Sequence, residues 1–356
     1  MFGIIIFYIN RPMTKVAIII PTMNRPNFML RQFKFYELMN SPHPIYISDS
    51  SNLGNSEKLK QNINKFKNLN ITYQWAPPGK DPLYSLLPLV KEKYCMRMGD
   101  DDLMIPDTIS ECADFLENNP DYGTCMGKQV NIRLRPEDYD KPYGIVAKQT
   151  IPLGGSIEDD DIFSRVKNFW SKPFYICFTV KRTEIEKSIC DLTKNFSLAG
   201  NMTEFSVLSI LITSGKSKSL DKLGYIMQIS NIRYAFDRSS YSDIQLSSNS
   251  EQWRICEEGL SEIIQKKGIS REESFKIIKE LHKFYLGQYS PKTDAVHAPG
   301  KRLSQIKKLR YFIARLPFLK TVYYKLNPPV YVTRPESRYY EDYKKVKDFL
   351  ESNIKP

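Results

Sequence analysis

The chain has 356 residues, 41% of them hydrophobic and 26% charged, with a formal net charge of +12. That composition excludes a disordered tail and leaves ample material for a buried core, while the basic excess favours anionic partners such as nucleotide phosphates, nucleic acid or acidic lipid. Six cysteines stand far apart without a Cys-x-x-Cys pair and three histidines are scattered, so neither a zinc site nor a disulfide framework is indicated and free thiols are expected.

The first ten residues include Gly-Ile-Ile-Ile-Phe-Tyr-Ile, a run too short to span a bilayer and without the features of a signal peptide. Lys15 to Ile20 is a continuous β-branched run, which predicts a parallel strand buried on both faces. Pro21-Thr-Met-Asn-Arg-Pro26 breaks it, and a helix is predicted over 27–40. A second strand, Ile45 to Ser48, ends in Asp49-Ser50-Ser51. A helix carrying Leu59, Ile63, Phe66 and Leu69 follows, then a strand over Ile71 to Trp75 and a helix over Leu83 to Lys93.

Tyr94 to Met98 then delivers Gly99 and three consecutive carboxylates, Asp100, Asp101 and Asp102, with no cation following closely. Like charges so placed raise one another's pKa, so a cation is expected to offset them; hard oxygens suit Mg²⁺ or Mn²⁺. The alternative is a solvated acidic turn ahead of a helix that begins at Pro106 and Asp107. Strands alternating with helices predict an α/β fold with an open, mostly parallel sheet, in which ligands gather at the carboxyl ends of the strands. No Gly-x-Gly-x-x-Gly follows the first strand and no Gly-Lys-Ser/Thr loop is present, which disfavours dinucleotide and P-loop solutions.

Three stretches, 16–26, 45–51 and 98–107, resemble in order and spacing the opening, middle and Asp-x-Asp motifs of family 2 glycosyltransferases with the GT-A fold. The middle motif departs from the usual pattern, with Ser50-Ser51 where a second acid or Gly-Ser is common. The resemblance implies that Pro21, Thr22 and Arg25 line a nucleotide site and that Asp49 accepts a hydrogen bond from the base, the pattern for uracil. It further implies that Asp100 and Asp101 contact the nucleotide and that Asp100 and Asp102 hold Mn²⁺ or Mg²⁺.

Further along, a helix is expected over 107–118 and extended structure over 122–135. Glu158 to Asp161 has no apolar strand before it and is expected to favour the start of the next helix electrostatically. Phe174 to Val180 is strand-like and Thr183 to Leu192 helical. Glu204 matches the position that in the family opens a helix and serves as general base, although Thr203 stands where a second acid is usual. A late strand over 219–229 leads to Arg233 and Arg238, candidates for the diphosphate.

From Glu251 the pattern is helical. Residues 298–334 are basic and rich in aromatic and aliphatic side chains, a composition suited to an anionic membrane surface. The expectation is a catalytic domain over 14–250, a helical region over 251–356, and a cytoplasmic protein at the inner face of the membrane. Its partners would be a UDP-sugar donor and a glycan or lipid-linked acceptor, in surface polysaccharide synthesis and without nucleic acid. A nucleotidyltransferase, or a non-catalytic membrane or nucleic-acid binding protein, is the alternative.

Overall fold

The computed structural model describes residues 14–136, 141–194, 200–229, 251–287 and 331–352. Strand and helix alternate first: β1 (Val16–Thr22), α1 (Pro26–Leu38), β2 (Ile45–Asp49), α2 (Leu53–Ile63), β3 (Ile71–Trp75), the short α3 (Leu83–Leu86) and β4 (Tyr94–Arg97). Then come β5 (Leu103–Met104), α4 (Pro106–Asn118), β6 (Tyr122–Arg135), β7 (Ile145–Gln149), α5 (Ile162–Ser171), β8 (Val180–Arg182) and α6 (Thr183–Thr193). The remaining described elements are α7 (Gly200–Thr213), β9 (Lys216–Gln228), α8 (Glu251–Gln265), α9 (Arg271–Gly287) and α10 (Tyr340–Ser352).

The strands form one open sheet in the order β3-β2-β1-β4-β8-β6-β9-β5, with β7 paired to β6. β1 lies parallel to β2 and β4, and β2 parallel to β3. The second half of the sheet is mixed, β8 running antiparallel to β4 and β6 while β9 runs parallel to β6. This is the α/β arrangement of the expected GT-A type. Residues 16–20 of β1 are fully buried. Val16, Ile18 and Ile20 face the main core with α1 and α4, and Ala17 and Ile19 face a smaller cluster with Leu83, Leu86 and Leu87. Burial on both faces is why this strand reads as an unbroken apolar run.

Three elements are shorter than predicted. The helix expected over 83–93 stops at Leu86 and tightens into a 3₁₀ turn over Leu87–Leu89, because Pro88 has no N–H and its ring crowds the preceding turn. α2 ends at Ile63, yet Phe66 beyond it still packs edge-on against Phe33 at 5.1 Å. Of the strand expected over 174–180, only Val180 joins the ladder. The preceding residues fold as a loop that buries Ile176 and lays Phe174 edge-on against Phe169.

β6 and β9 approach closely where two glycines face each other. A Cβ on Gly127 would stand 2.7 Å from the Gly224 Cα, so no side chain fits at that crossing.

Apolar packing does not divide the chain at residue 250. α8 and α9 share a core with α5, α6 and α7, through residues such as Phe169, Phe205, Leu260 and Leu281. α10 instead returns to the main sheet: Tyr343, Val346, Phe349 and Leu350 join its core, and the Phe349 ring lies 5.2 Å from that of Phe35. Glu351 accepts the Val146 N–H at 3.0 Å, tying α10 to β7. Of the described helices in 251–356, α8 and α9 thus belong to one core and α10 to the other. No helix among the described residues is long and apolar enough to cross a membrane. Residues 298–330 of the basic stretch lie outside the described residues, as do Arg233 and Arg238.

Leu350 is fully buried, so Leu350→Ala should cost about 2–5 kcal/mol in urea unfolding. A change within about 0.5 kcal/mol, the size of a surface substitution, would mean that α10 is not docked.

Candidate functional site

The three stretches singled out in the sequence meet at the carboxyl ends of β1, β2 and β4. The turn after β1 is built on Asn24, whose backbone is left-handed at φ 57°, a conformation asparagine tolerates. Its side-chain oxygen accepts the Asn52 N–H at 2.9 Å, and its own N–H donates to the Ser51 hydroxyl at 2.7 Å. The Ser50 N–H donates to the Thr22 carbonyl at 3.0 Å, so the turns after β1 and β2 form one unit. Pro26 then occupies the first turn of α1, where its missing N–H costs nothing.

Asp49 is fully buried. Its Oδ1 accepts the Ser51 N–H at 2.8 Å and its Oδ2 accepts the Tyr73 hydroxyl at 2.6 Å. The carboxylate therefore closes an Asx-turn and braces β2 against β3. Each of its oxygens thus already accepts one hydrogen bond from within the protein. Trp75 completes the wall by donating its indole N–H to the Ser51 carbonyl at 2.9 Å.

No cation follows the triple aspartate closely in sequence, but Arg25 reaches it from the β1–α1 turn. Its Nη1 donates to Asp100 Oδ1 at 2.7 Å, and both Nη atoms donate to Asp101 Oδ2 at 3.2 Å. Thr22 donates to the other oxygen of Asp100 at 2.7 Å. Burial still outweighs Arg25 and pushes the Asp100 carboxyl up to about 6. Asp102 is also buried; its Oδ2 accepts the Tyr225 hydroxyl and its Oδ1 the Gln228 N–H at 2.9 Å. Burial, then the neighbouring Asp101, raises the Asp102 carboxyl well above its ordinary value.

The backbone of the aspartate turn is held from α1. Gln32, fully buried, donates to the carbonyls of Asp100, at 3.1 Å, and of Asp102. Arg31 donates to the Asp101 carbonyl at 2.5 Å and to the Pro142 carbonyl at 2.5 Å, and burial lowers its guanidinium to about 10. Neither was expected from the sequence, although an Arg-Gln pair between Met29 and Phe33 in an otherwise apolar stretch is a signal of buried polar work. Tyr225 and Gln228 lie in β9, far along the chain, and have no local signature.

Of the three aspartates, Asp101 has the most accessible side chain, 27% against 8% for Asp100. Asp101 Oδ1 and Asp102 Oδ2 each lie 2.9 Å from the point where a Cβ on Gly99 would stand. Two carboxylate oxygens thus converge over a residue that has no side chain. Hard carboxylate oxygens, one of them on the buried Asp102, fit a divalent cation, and Mg²⁺ or Mn²⁺ binds through one or two carboxylates with substrate phosphate completing the shell. Asp100 has both oxygens engaged by Arg25 and Thr22 and Asp102 both by Tyr225 and the Gln228 N–H, whereas Arg25 bonds one oxygen of Asp101. Among the described residues no group of three or more His, Cys, Asp and Glu side chains is arranged to hold a metal ion.

One strand residue before the turn, Arg97 joins a buried network. Glu186 accepts from Arg97 and from Lys181, the latter at 2.9 Å, and Glu186 and Lys181 are each 1% exposed. Glu204 lies in the second turn of α7 and is exposed, where the sequence placed it at the helix start. Its Oε2 accepts the Tyr285 hydroxyl at 3.3 Å, and its charge is felt by Cys177, whose thiol burial pushes up to about 12. The acidic run at 158–161 acts locally: Asp161 caps α5 by accepting the Ser164 N–H at 2.8 Å, and Glu158 pairs with Lys218 at 2.7 Å.

Burial would raise the Glu186 carboxyl, but Arg97 and Lys181 outweigh it and hold it down to about 2, from an ordinary 4.5. A depressed carboxyl contributes stability above its unfolded value and loses it as pH falls toward its folded one. Between pH 4.5 and 2 the chain should therefore lose about 3 kcal/mol through this group, an acid limb that Glu186→Gln should abolish in denaturant titrations across that range.

A scan against protein-family models finds no match, and a search of curated proteins finds none. Among solved structures the chain is similar to residues 1–349 of S. aureus TarS, at 14% identity and a TM-score of 0.49 over 95% of this chain and 91% of that one. The same protein in complex with UDP-GlcNAc matches at 15% identity and 0.49 over the same shares. Mannosyltransferase PcManGT from Pyrobaculum calidifontis, in complex with GDP-Man and Mn²⁺, matches at 13% identity and 0.41 over 86% of this chain and 82% of that one. Likeness of this degree leaves the reading of the site to its own geometry.

Proposed function

We propose that this chain is a metal-dependent glycosyltransferase that moves a sugar from a nucleotide sugar, foremost a UDP-sugar, to a hydroxyl of a glycan or lipid-linked acceptor. The observation that carries this reading is the meeting of Thr22 and Arg25 with Asp100 and Asp101 beside the β2 turn, all at the carboxyl ends of parallel strands. There the three stretches that resemble a glycosyltransferase become one site.

In this mechanism the nucleotide lies along the turn of Pro21 and Thr22, with the loop anchored by Asp49 forming its base-side wall. Asp101 and Asp102 would hold Mn²⁺ or Mg²⁺. When bound, the ion offsets the negative charge that grows on the leaving nucleoside diphosphate. Asp100 acts through Arg25 and Thr22, keeping the β1 turn and the aspartate turn in register. Glu204 takes the proton of the acceptor hydroxyl as that oxygen attacks the anomeric carbon, and a single in-line displacement inverts the configuration there.

Thermal unfolding with nucleoside diphosphates, with Mn²⁺ and with chelator, tests the donor half. A nucleotide at a hundredfold over its dissociation constant should stabilise the protein by about 2.7 kcal/mol. That gain should need the metal and vanish in Asp101→Asn and in Gly99→Ala, whose new methyl would stand between the two oxygens. No stabilisation by any nucleotide would sink the proposal. Glu204→Gln should keep the nucleotide effect and lower kcat by about 10²–10⁴ in a transfer assay; an unchanged kcat would remove Glu204 from the reaction.

A further inference from the structure

A cavity of about 890 Å³ opens between the middle of β6, residues 153–156 and the loop that follows α5, a volume within the range of small-molecule sites. Phe174 and Tyr175 form an apolar wall, and Tyr175 is 50% exposed. Asn168, Ser171, Lys172 and Asp159 supply polar groups, the Asn168 amide donating to both Asp159 oxygens at 2.8 and 2.7 Å. Gln129 lines the same cavity. It is 1% exposed, its Nε2 donates to Asn131 Oδ1 at 2.6 Å, and its Oε1 has no hydrogen-bond partner. A buried acceptor left without a donor is costly, and a ligand hydroxyl would satisfy it.

The cavity is coupled to the aspartate turn. Gln129 pairs in register with Tyr225, whose hydroxyl donates to Asp102. Tyr175 stacks on Phe178 with ring centroids 6.3 Å apart, and Phe178 stacks on Tyr225 at 5.0 Å. Glu158 is paired with Lys218, and Asp159 stands in the lining with Lys172, so the lining carries no excess positive charge to favour a phosphate-bearing ligand. An exposed ring beside neutral amides and mixed donors and acceptors suits a neutral polyol, whose C–H face lies on the ring while its hydroxyls both donate and accept.

We infer that this cavity binds a pyranose ring of the acceptor, with Tyr175 as the stacking platform and Gln129 and Asn168 as hydrogen-bonding partners. The acceptor role rests on the glycosyl-transfer reading; the binding of a sugar does not. The test is saturation-transfer NMR on the full chain with the methyl glycosides of glucose, galactose, mannose and N-acetylglucosamine, alongside the nucleotide unfolding assay. At least one glycoside should bind, Tyr175→Ala should weaken it by about tenfold or more, and Tyr175→Phe should restore it. Asn168 is exposed and lies outside that ring stack, so Asn168→Ala should weaken glycoside binding and keep the metal-dependent nucleotide effect. Absence of binding by all four glycosides, or equal binding by Tyr175→Ala, would overturn the sugar site. Glycoside binding without any nucleotide effect would overturn the acceptor role and the transfer reading together.

Discussion

Three adjacent carboxylates stay folded at the end of a buried strand only if positive charge and hydrogen-bond donors reach them from elsewhere. Here the charge comes from α1 and the turn before it, and the donors come from there, from the end of β1 and from β9. Arg25 and Thr22 meet the side chains, while Arg31 and Gln32 hold the backbone carbonyls. The rest of the architecture serves that contact. The buried β1 sets the level at which the turn emerges, and Asn24 bends the chain so that Arg25 points back. The parallel pairing with β4 brings the aspartates alongside. Because Asp100 and Asp102 are each tied to neighbours, the accessible charge of the site is concentrated on Asp101.

The same geometry joins the halves of the molecule. Asp102 is bonded to Tyr225 and Gln228 of β9, a strand that reaches the site only after the chain has built α4 through α7. Tyr225 in turn stacks on Phe178. Phe178 and Tyr225 both belong to the main core, while Phe174 and Cys177, in the same loop as Phe178, pack on the second core that holds α5 through α9.

Much of this was legible in the sequence, for identifiable reasons. The β-branched run of β1 and the apolar face of α1 are local patterns, and the three motif stretches carry their own spacing. What was not legible depended on distance. The partnership of Arg25 with residues some seventy positions away, and of Tyr225 with Asp102, is set by sheet order, which periodicity does not encode. Asp49 carries a signal that fits both a base contact and an Asx-turn, and its bond to Tyr73 of β3 is set by strand pairing that its own neighbours do not encode. Pro88 was visible, and its effect on α3 follows from its missing N–H. The extended reading of 174–180 failed because apolar residues there serve loop packing around Phe169. The helix α10 offers a modest amphipathic pattern whose partner is unreadable from its own residues.

That last element bears on how the protein comes into being. Phe35 belongs to α1 and packs against Phe349 of α10. During synthesis from the N-terminus, the face of α1 around Phe35 therefore lacks this ring until α10 has been made. The helix that positions the aspartate turn is thus born with an unfinished back.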